Sequence, residues 1–228
     1  MKVLTLNTWL IPWAKDVRKR RKKILEHIKK NKYDVVFLQE VWLNKDLKYF
    51  LRNLKEYNSI SVGGFIVNKT GLLTLFKGKK VGRIRTYHFP FTKNYSFMQK
   101  IAKKGFIHTK IKKNGIVIDA VNTHLVDYSQ SWAKKANTNN IGALKFFVRK
   151  YPNVLMCGDF NYKLPDMEKM KLLKSVSKEK TFRKENKYVE ENINEKLDYV
   201  FYRNLKVKSS NIVKKELSDH YGIETEFE

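Results

Sequence analysis

The segment VLMCGDFN, residues 154–161, ends a short apolar run in Gly158, Asp159, Phe160 and Asn161. Asp159 and Asn161 are two residues apart, so their side chains point the same way if the chain stays extended. A carboxylate and an amide oxygen side by side suit a hard divalent cation and a phosphate oxygen. A plain turn accounts for the same residues, because Gly, Asp and Asn favour turns for local reasons. The same chemistry recurs elsewhere. Asn7, Glu40, His124, Asp198 and the neighbours Asp219 and His220 each lie beside a segment with strand character. Carboxylates and carbonyl oxygens without a clustered Cys/His set point to Mg²⁺, with Mn²⁺ as the alternative, and away from structural zinc. Mg²⁺ held by one or two carboxylates with retained waters is an arrangement for phosphoryl chemistry. A His near a carboxylate can be held in one tautomer and act as a base. Adjacent residues often cannot bond each other, so the acid that orients His220 can be a distant one such as Asp198. Taken singly, each of these residues is as well explained by structure as by chemistry.

The elements that must position them follow from hydrophobic periodicity. Residues 3–6 and 35–38 read as buried strands that end at Asn7 and at Gln39–Glu40. Residues 15–30 read as a helix with Val17, Ile24, Leu25 and Ile28 on one face and a basic remainder. Its run RKRRKK, 18–23, is expected to be a solvated face rather than a phosphate patch. Asp46 is expected to cap a second helix in which Leu47, Phe50, Leu51 and Leu54 share a face. A strand, helix, strand, helix opening argues for an α/β or α+β layered domain. Residues 59–120 change to strands with turn signals, at 72–76, 84–89, 106–111 and 116–122, and an antiparallel section is expected. Residues 131–150 read as a helix leading into the strand at 154–157. A short helix near 166–176, a strand at 197–202 and a last strand ending at Phe227 complete the pattern. Layered folds gather strand-end residues at one sheet edge, where ligands bind.

Composition limits the class. The chain has 228 residues, 42% of them hydrophobic, enough for one substantial core, and a single domain over 1–228 is expected. No apolar run approaches 20 residues, and the N-terminus lacks the features of a signal peptide. Cys157 is the single cysteine, so there is no disulfide framework, and its apolar neighbours mark it as a small core residue. A cytoplasmic, reducing location is expected, with membrane contact at most peripheral. The net charge of +26 directs the protein to anionic or phosphorylated partners: nucleic acid, anionic lipid surfaces or phosphorylated substrates. The lysines are spread along the whole chain, so the charge narrows the partner without choosing one.

The ordered set of motifs resembles the endonuclease/exonuclease/phosphatase superfamily. The matching pieces are LNTW (6–9), LQEVW (38–42), TGLLTLF (70–76), KGFIHTKI (104–111), NTHL (122–125), CGDFN (157–161), KLDYVFY (196–202) and SDHYGI (218–223). Within it, LNTWLIPW, EVW, GLLTLF and NTHL look most like neutral sphingomyelinases. The resemblance implies a four-layer α/β/β/α sandwich of two mixed β-sheets flanked by helices. It implies a metal-dependent phosphoric diester hydrolase with Glu40 as the principal Mg²⁺ ligand and Asn7 beside it. His220 would activate water, oriented by Asp198. Asp219 would support the metal waters or the His, and Asp159 and Asn161 would position the nucleophile and a phosphate oxygen. His124 would bond a phosphate oxygen or help the leaving group. Which of His220 and Asp159 takes the proton stays open.

Two substrate classes compete. A sphingomyelin-like phospholipid is favoured by the motif subgroup and by the aromatic stretch TYHFPFTKNYSF, 86–97, which could dip into a membrane interface. Nucleic acid is favoured by the charge, and the same aromatics could stack on bases. Ordinary core packing explains those aromatics equally well. Thr8 and Trp9 stand where abasic-site endonucleases carry an acidic residue, which weakens a DNA-repair reading. A monomer is expected.

Overall fold

In the computed structural model, all residues are described except 91–94, 96–102, 114, 128–130, 163–172 and 177–178. The chain opens β1 (Lys2–Leu10), α1 (Val17–Asn31), β2 (Val35–Val41), α2 (Asn44–Asn53), β3 (Asn58–Gly63) and β4 (Asn68–Phe76). Then come β5 (Lys79–His88), β6 (Gly105–Lys113), β7 (Ile116–His124), α3 (Ser131–Val148) and β8 (Val154–Asp159). It closes with the short β9 (Lys174–Ser175), β10 (Phe182–Arg183) and β11 (Asn194–Glu195), then β12 (Asp198–Arg203), β13 (Val207–Val213) and β14 (Gly222–Phe227).

Two six-stranded sheets form, ordered β13-β14-β1-β2-β4-β3 and β5-β6-β7-β8-β12-β9, with β10 and β11 as a separate ribbon. Both sheets are mixed: β1 runs parallel to β2 and β7 parallel to β8, and the remaining pairs are antiparallel. Strand alternation builds the layers. Val3, Val35 and Phe37 of the first sheet meet Ile107, Ala120, Leu155, Cys157 and Val200 of the second. The intervening Leu4, Leu6, Val36 and Leu38 turn outward to Ile24, Leu25 and Ile28 of α1 and Phe50 of α2. On the far face Val121, Met156 and Phe201 take Leu144 and Val148 of α3. The result is the expected four-layer α/β/β/α sandwich, with Cys157 fully buried between the sheets.

Several local expectations are corrected. Asp46 does not cap α2. Leu43 occupies that position, and Asp46 lies buried inside the first turn, paired with Arg21 of α1. The run at 18–23 is not simply a solvated face, because Arg20 is completely buried and Arg21 is anchored. Strands β3 and β13 escape the periodicity because each is an edge strand that buries one side chain, Ile60 and Ile212. The helix expected at 166–176 falls largely outside the described residues, and Lys174–Ser175 form a strand against β12. Of the aromatic stretch, Phe89 and Tyr95 are buried, which is core packing, while Tyr87 is 40% exposed and stacks on the buried Phe106 at 5.1 Å; 91–94 and 96–97 lie outside the described residues.

Candidate active site

Register brings three of the candidate residues into one row. In the second sheet His124 pairs with Asp159 across β7 and β8, and Asp159 pairs with Asp198 across β8 and β12. Residues in one cross-strand row share a face. Here that face is the one between the sheets, since Cys157 and Val200, two residues away, belong to the inter-sheet core. Gly158 makes the row possible. It has φ +152, and a Cβ there would lie 1.9 Å from the Thr123 carbonyl oxygen.

Asn7 and Glu40 come from the first sheet. Asn7 lies within β1 and donates from Nδ2 to Asp159 Oδ2 at 2.9 Å, joining the sheets at the site. Glu40 lies within β2, where the β1–β2 register breaks between Asn7 and Leu10. Regular alternation would turn Glu40 outward with Leu38. Instead its φ is +59, and it lines the cleft with Asn7. Trp9 and Asn161, at φ +48 and +45, are also left-handed. Such backbone costs of order 1–3 kcal/mol per residue and persists where surroundings fix it, typically at functional sites. The expectation that Asp159 and Asn161 share an extended segment is therefore corrected. Asn161 folds back, its N–H donating to Asp159 Oδ1 at 2.8 Å, so the two side chains converge through a turn.

Asp159 is held tightly. Burial alone would raise its pKa, but the hydrogen bond with His124 and the charges of His220, His124 and Lys104 outweigh burial and keep it ionised. His220 Nδ1 lies 2.7 Å from Asp198 Oδ2, and the His220 N–H donates to Asp219 Oδ1 at 3.0 Å. Burial disfavours a charged His220, yet Asp198, Asp219 and Asp159 together raise its pKa well above the usual value. Burial pushes Asp219 up to about 6 against the opposing charge of His220, and Glu40 adds to the rise.

Two residues at or near the site are given no role by the sequence motifs, although Lys104 opens the stretch KGFIHTKI and Arg20 lies in the run RKRRKK. Lys104 Nζ lies 2.8 Å from His124 Nε2 and donates to the Leu125 carbonyl at 2.9 Å. The motif alone does not show that Lys104, one of 48 basic residues, meets His124. Arg20 donates to the carbonyls of Thr8, Trp9 and Lys15 at 2.7–2.8 Å and lies over the Trp9 ring at 4.7 Å. Its guanidinium thus clamps the end of β1 that carries Asn7. Two motif residues act as scaffold. Gln39 donates to Asn122 Oδ1 at 2.8 Å across the sheets, and Gly71, at φ +65, lies under the Trp42 ring, which stands 6.4 Å from His124.

Asn7, Glu40, Lys104, Asp159, Asn161, Asp219 and His220 line a cleft of about 500 Å³ with Asp127, Phe182, Glu191 and Ile193, whereas His124 and Asp198 are fully buried and reach it through their partners Asp159 and His220. Asp159, Asp198 and His220 offer ligand atoms within 4.8 Å of one another. A better test of cation fit is Glu40 Oε2, which is buried with no hydrogen-bond partner. A carboxylate oxygen without a donor in a cleft of further oxygen ligands fits a hard divalent cation.

The sequence matches the Endonuclease/Exonuclease/phosphatase family over residues 4–220. The chain belongs to the endonuclease/exonuclease/phosphatase family. Members of this family are enzymes acting on phosphoester bonds, and the cleft of this chain gathers Asn7, Glu40, Asp159 and His220. No functionally curated protein matches the sequence. Among solved structures, the family fold recurs in D. rerio TDP2 complexed with single-strand DNA product (17% identity, TM-score 0.81, covering 100% of this chain and 98% of that one). It recurs in beta toxin from Staphylococcus aureus (20%, 0.79, 99% and 99%) and in sphingomyelinase C from Streptomyces griseocarneus (20%, 0.78, 99% and 98%). At these identities the likeness is one of fold.

Proposed function

We propose that this family member is a divalent-metal-dependent phosphodiesterase in which His220, oriented by Asp198, draws the proton from an attacking water. The observation that carries the reading is the buried 2.7 Å His220–Asp198 contact in the same cleft as the unpartnered Glu40 oxygen. Glu40 and Asn7 would hold the cation. His220 Nδ1 and Asp198 Oδ2 are already engaged with each other, so these two are assigned to proton handling. A bound Mg²⁺ or Mn²⁺ supplies Lewis acidity at a phosphoryl oxygen. A cation held by Glu40 and Asn7 would offset part of the negative charge that raises the His220 pKa, which would favour a neutral imidazole able to accept a proton. Asn161 and Asn7 hold Asp159 in place beside the nucleophile. Lys104, whose ammonium also contacts His124 Nε2, would present a donor toward a phosphate oxygen or the leaving oxygen, where developing charge is stabilised.

The substrate proposed is a phospholipid with a zwitterionic, sphingomyelin-like head group. The cleft is lined by Glu40, Asp127, Asp159, Glu191, Glu195 and Asp219 against Lys104 and His220. In a chain of net charge +26, this concentration of carboxylates favours a ligand that pairs its phosphate with a cationic group. Trp13, Phe65 and Ile66 are 68%, 100% and 69% exposed. They follow β1 and join β3 to β4, so they lie at the sheet edge that carries Asn7 and Glu40. Apolar tips beside the cleft suit shallow insertion at a lipid surface. The net charge is the specific observation for the second reading, a nuclease.

The test is a paired assay with Mg²⁺ and with EDTA on sphingomyelin in mixed micelles and on single- and double-stranded DNA, with Glu40→Ala as the control. Metal-dependent phosphocholine release without DNA cleavage is the expected result. DNA cleavage alone replaces the lipid reading by the nuclease one.

A further inference from the structure

A second cleft, of about 550 Å³, shares the 214–221 segment with the catalytic cleft. Asp219 and His220 line the catalytic side, and Lys214 and Lys215 line the other, opposite Lys23 and Lys30 of α1. None of these four lysines is paired with a carboxylate among the described residues, whereas the two glutamates of the cleft have lysines of their own. Glu26 faces Lys22 at 3.9 Å, and Glu216 is paired with Lys187. His27 at the wall adds no charge near neutrality. Burial, and next the charge of Lys215, lower its pKa to about 4. Its neutral form is also fixed by geometry. Tyr33 donates its hydroxyl to Glu224 at 2.6 Å, so His27 Nε2, 2.8 Å from that hydroxyl, must be the donor there. Nδ1 is then left to accept from Asn31 at 3.1 Å.

Lys23 and Lys30 stand on one face of α1, ~10 Å apart along the axis at the helical rise per residue. That span matches two or three linked phosphates. Converging ammonium groups repel one another, and an anion removes the repulsion while accepting charge-assisted hydrogen bonds. Leu217 and Tyr221 contribute apolar lining beside these lysines. We propose that this cleft is a binding site for a small polyphosphate anion, bearing two or three linked phosphates, distinct from the catalytic cleft. The phosphates can belong to an inorganic chain or to a nucleoside di- or triphosphate.

The experiment is calorimetric titration of the intact protein with inorganic tripolyphosphate in EDTA, which requires no turnover and is independent of the catalytic reading. Without a cation the carboxylate-lined catalytic cleft repels phosphate, so binding reports on the lysine cleft. Saturable, salt-sensitive binding at one site is expected. Lys214→Gln with Lys215→Gln, and separately Lys23→Gln with Lys30→Gln, should each raise Kd about ten-fold or more, the scale of losing a hydrogen bond to a charged group. These side chains project into solvent or the cleft, and circular dichroism verifies folding of each variant. Glu40→Ala should leave Kd unchanged. ATP competing with tripolyphosphate identifies a nucleotide as an acceptable source, and failure to compete restricts the site to the inorganic chain. Absence of saturable binding, or equal Kd in the wild type and the combined four-lysine variant, overturns the proposal.

Discussion

Nδ1 of His220 lies 2.7 Å from Oδ2 of Asp198, and both side chains are buried at the edge shared by the two sheets. Replacing His220 with Ala should lower kcat by about 10²–10⁴, the range contributed by a positioned general base. Asp198→Asn keeps the shape but presents an amide that can favour the other imidazole tautomer, so a loss of similar order, about 10²–10⁴, is expected in kcat with KM little changed. Steady-state kinetics and thermal melts of both variants test this. Full activity in folded His220→Ala protein removes the residue from the mechanism.

Glu40 Oε2 has no hydrogen-bond partner although it is buried. EDTA should therefore abolish turnover, and Mg²⁺ should restore it. Glu40→Gln should need at least ~10-fold more Mg²⁺ for half-maximal activity, because a neutral amide is a much weaker ligand for a hard cation. Isothermal titration with Mg²⁺ gives a second readout, and unchanged metal affinity would reassign the ligand.

Lys104 should matter as much as a motif residue. Its ammonium group contacts His124 and the Leu125 carbonyl. Lys104→Met is expected to lower kcat by about 10²-fold or more, the scale of one lost donor to developing charge. A variant with wild-type kcat would leave Lys104 a purely structural role.

Gly158 should tolerate no side chain. Its φ is +152, and an added methyl carbon would stand 1.9 Å from the Thr123 carbonyl oxygen, so Gly158→Ala must shift β7 from β8. A destabilisation of about 3 kcal/mol or more is expected, toward the rare end for single substitutions. Urea unfolding measures it, and a change under about 1 kcal/mol contradicts the geometry.

His27 supplies a pH dependence of stability. Its folded pKa, about 4, lies below the ordinary 6.5, burial being the main cause. The unfolded chain therefore binds more protons between those values, so the contribution is fully present above pH 6.5 and is lost as pH falls toward 4. His27→Gln should remove roughly 2 kcal/mol of the difference in unfolding free energy between pH 7 and pH 4.5, allowing for partial solvent screening. Identical pH profiles for the two proteins would show that His27 is not buried in its neutral form.

Legible in the sequence were a layered domain, the family through its ordered motifs, and the segments on or beside which Asn7, Glu40, His124, Asp159, Asp198 and His220 lie; β1 and β2 run on past Asn7 and Glu40 to Leu10 and Val41. Apolar periodicity supports only the layered class, because it reports locally which face of each strand or helix is buried; the four layers and the family rest on the resemblance carried by the ordered motifs. What those residues face depends on the folded chain. The register of β7, β8 and β12 places His124, Asp159 and Asp198 in one row, and the left-handed backbone at Glu40 and Asn161 turns side chains that alternation would send elsewhere. Tertiary packing also separated buried, partnered charge from the solvated remainder. Of 48 basic residues, it buries Arg20 under β1 and sets Lys104 against His124. Composition cannot distinguish these, since the energy of a charge depends on its surroundings and partners, which lie far away in sequence.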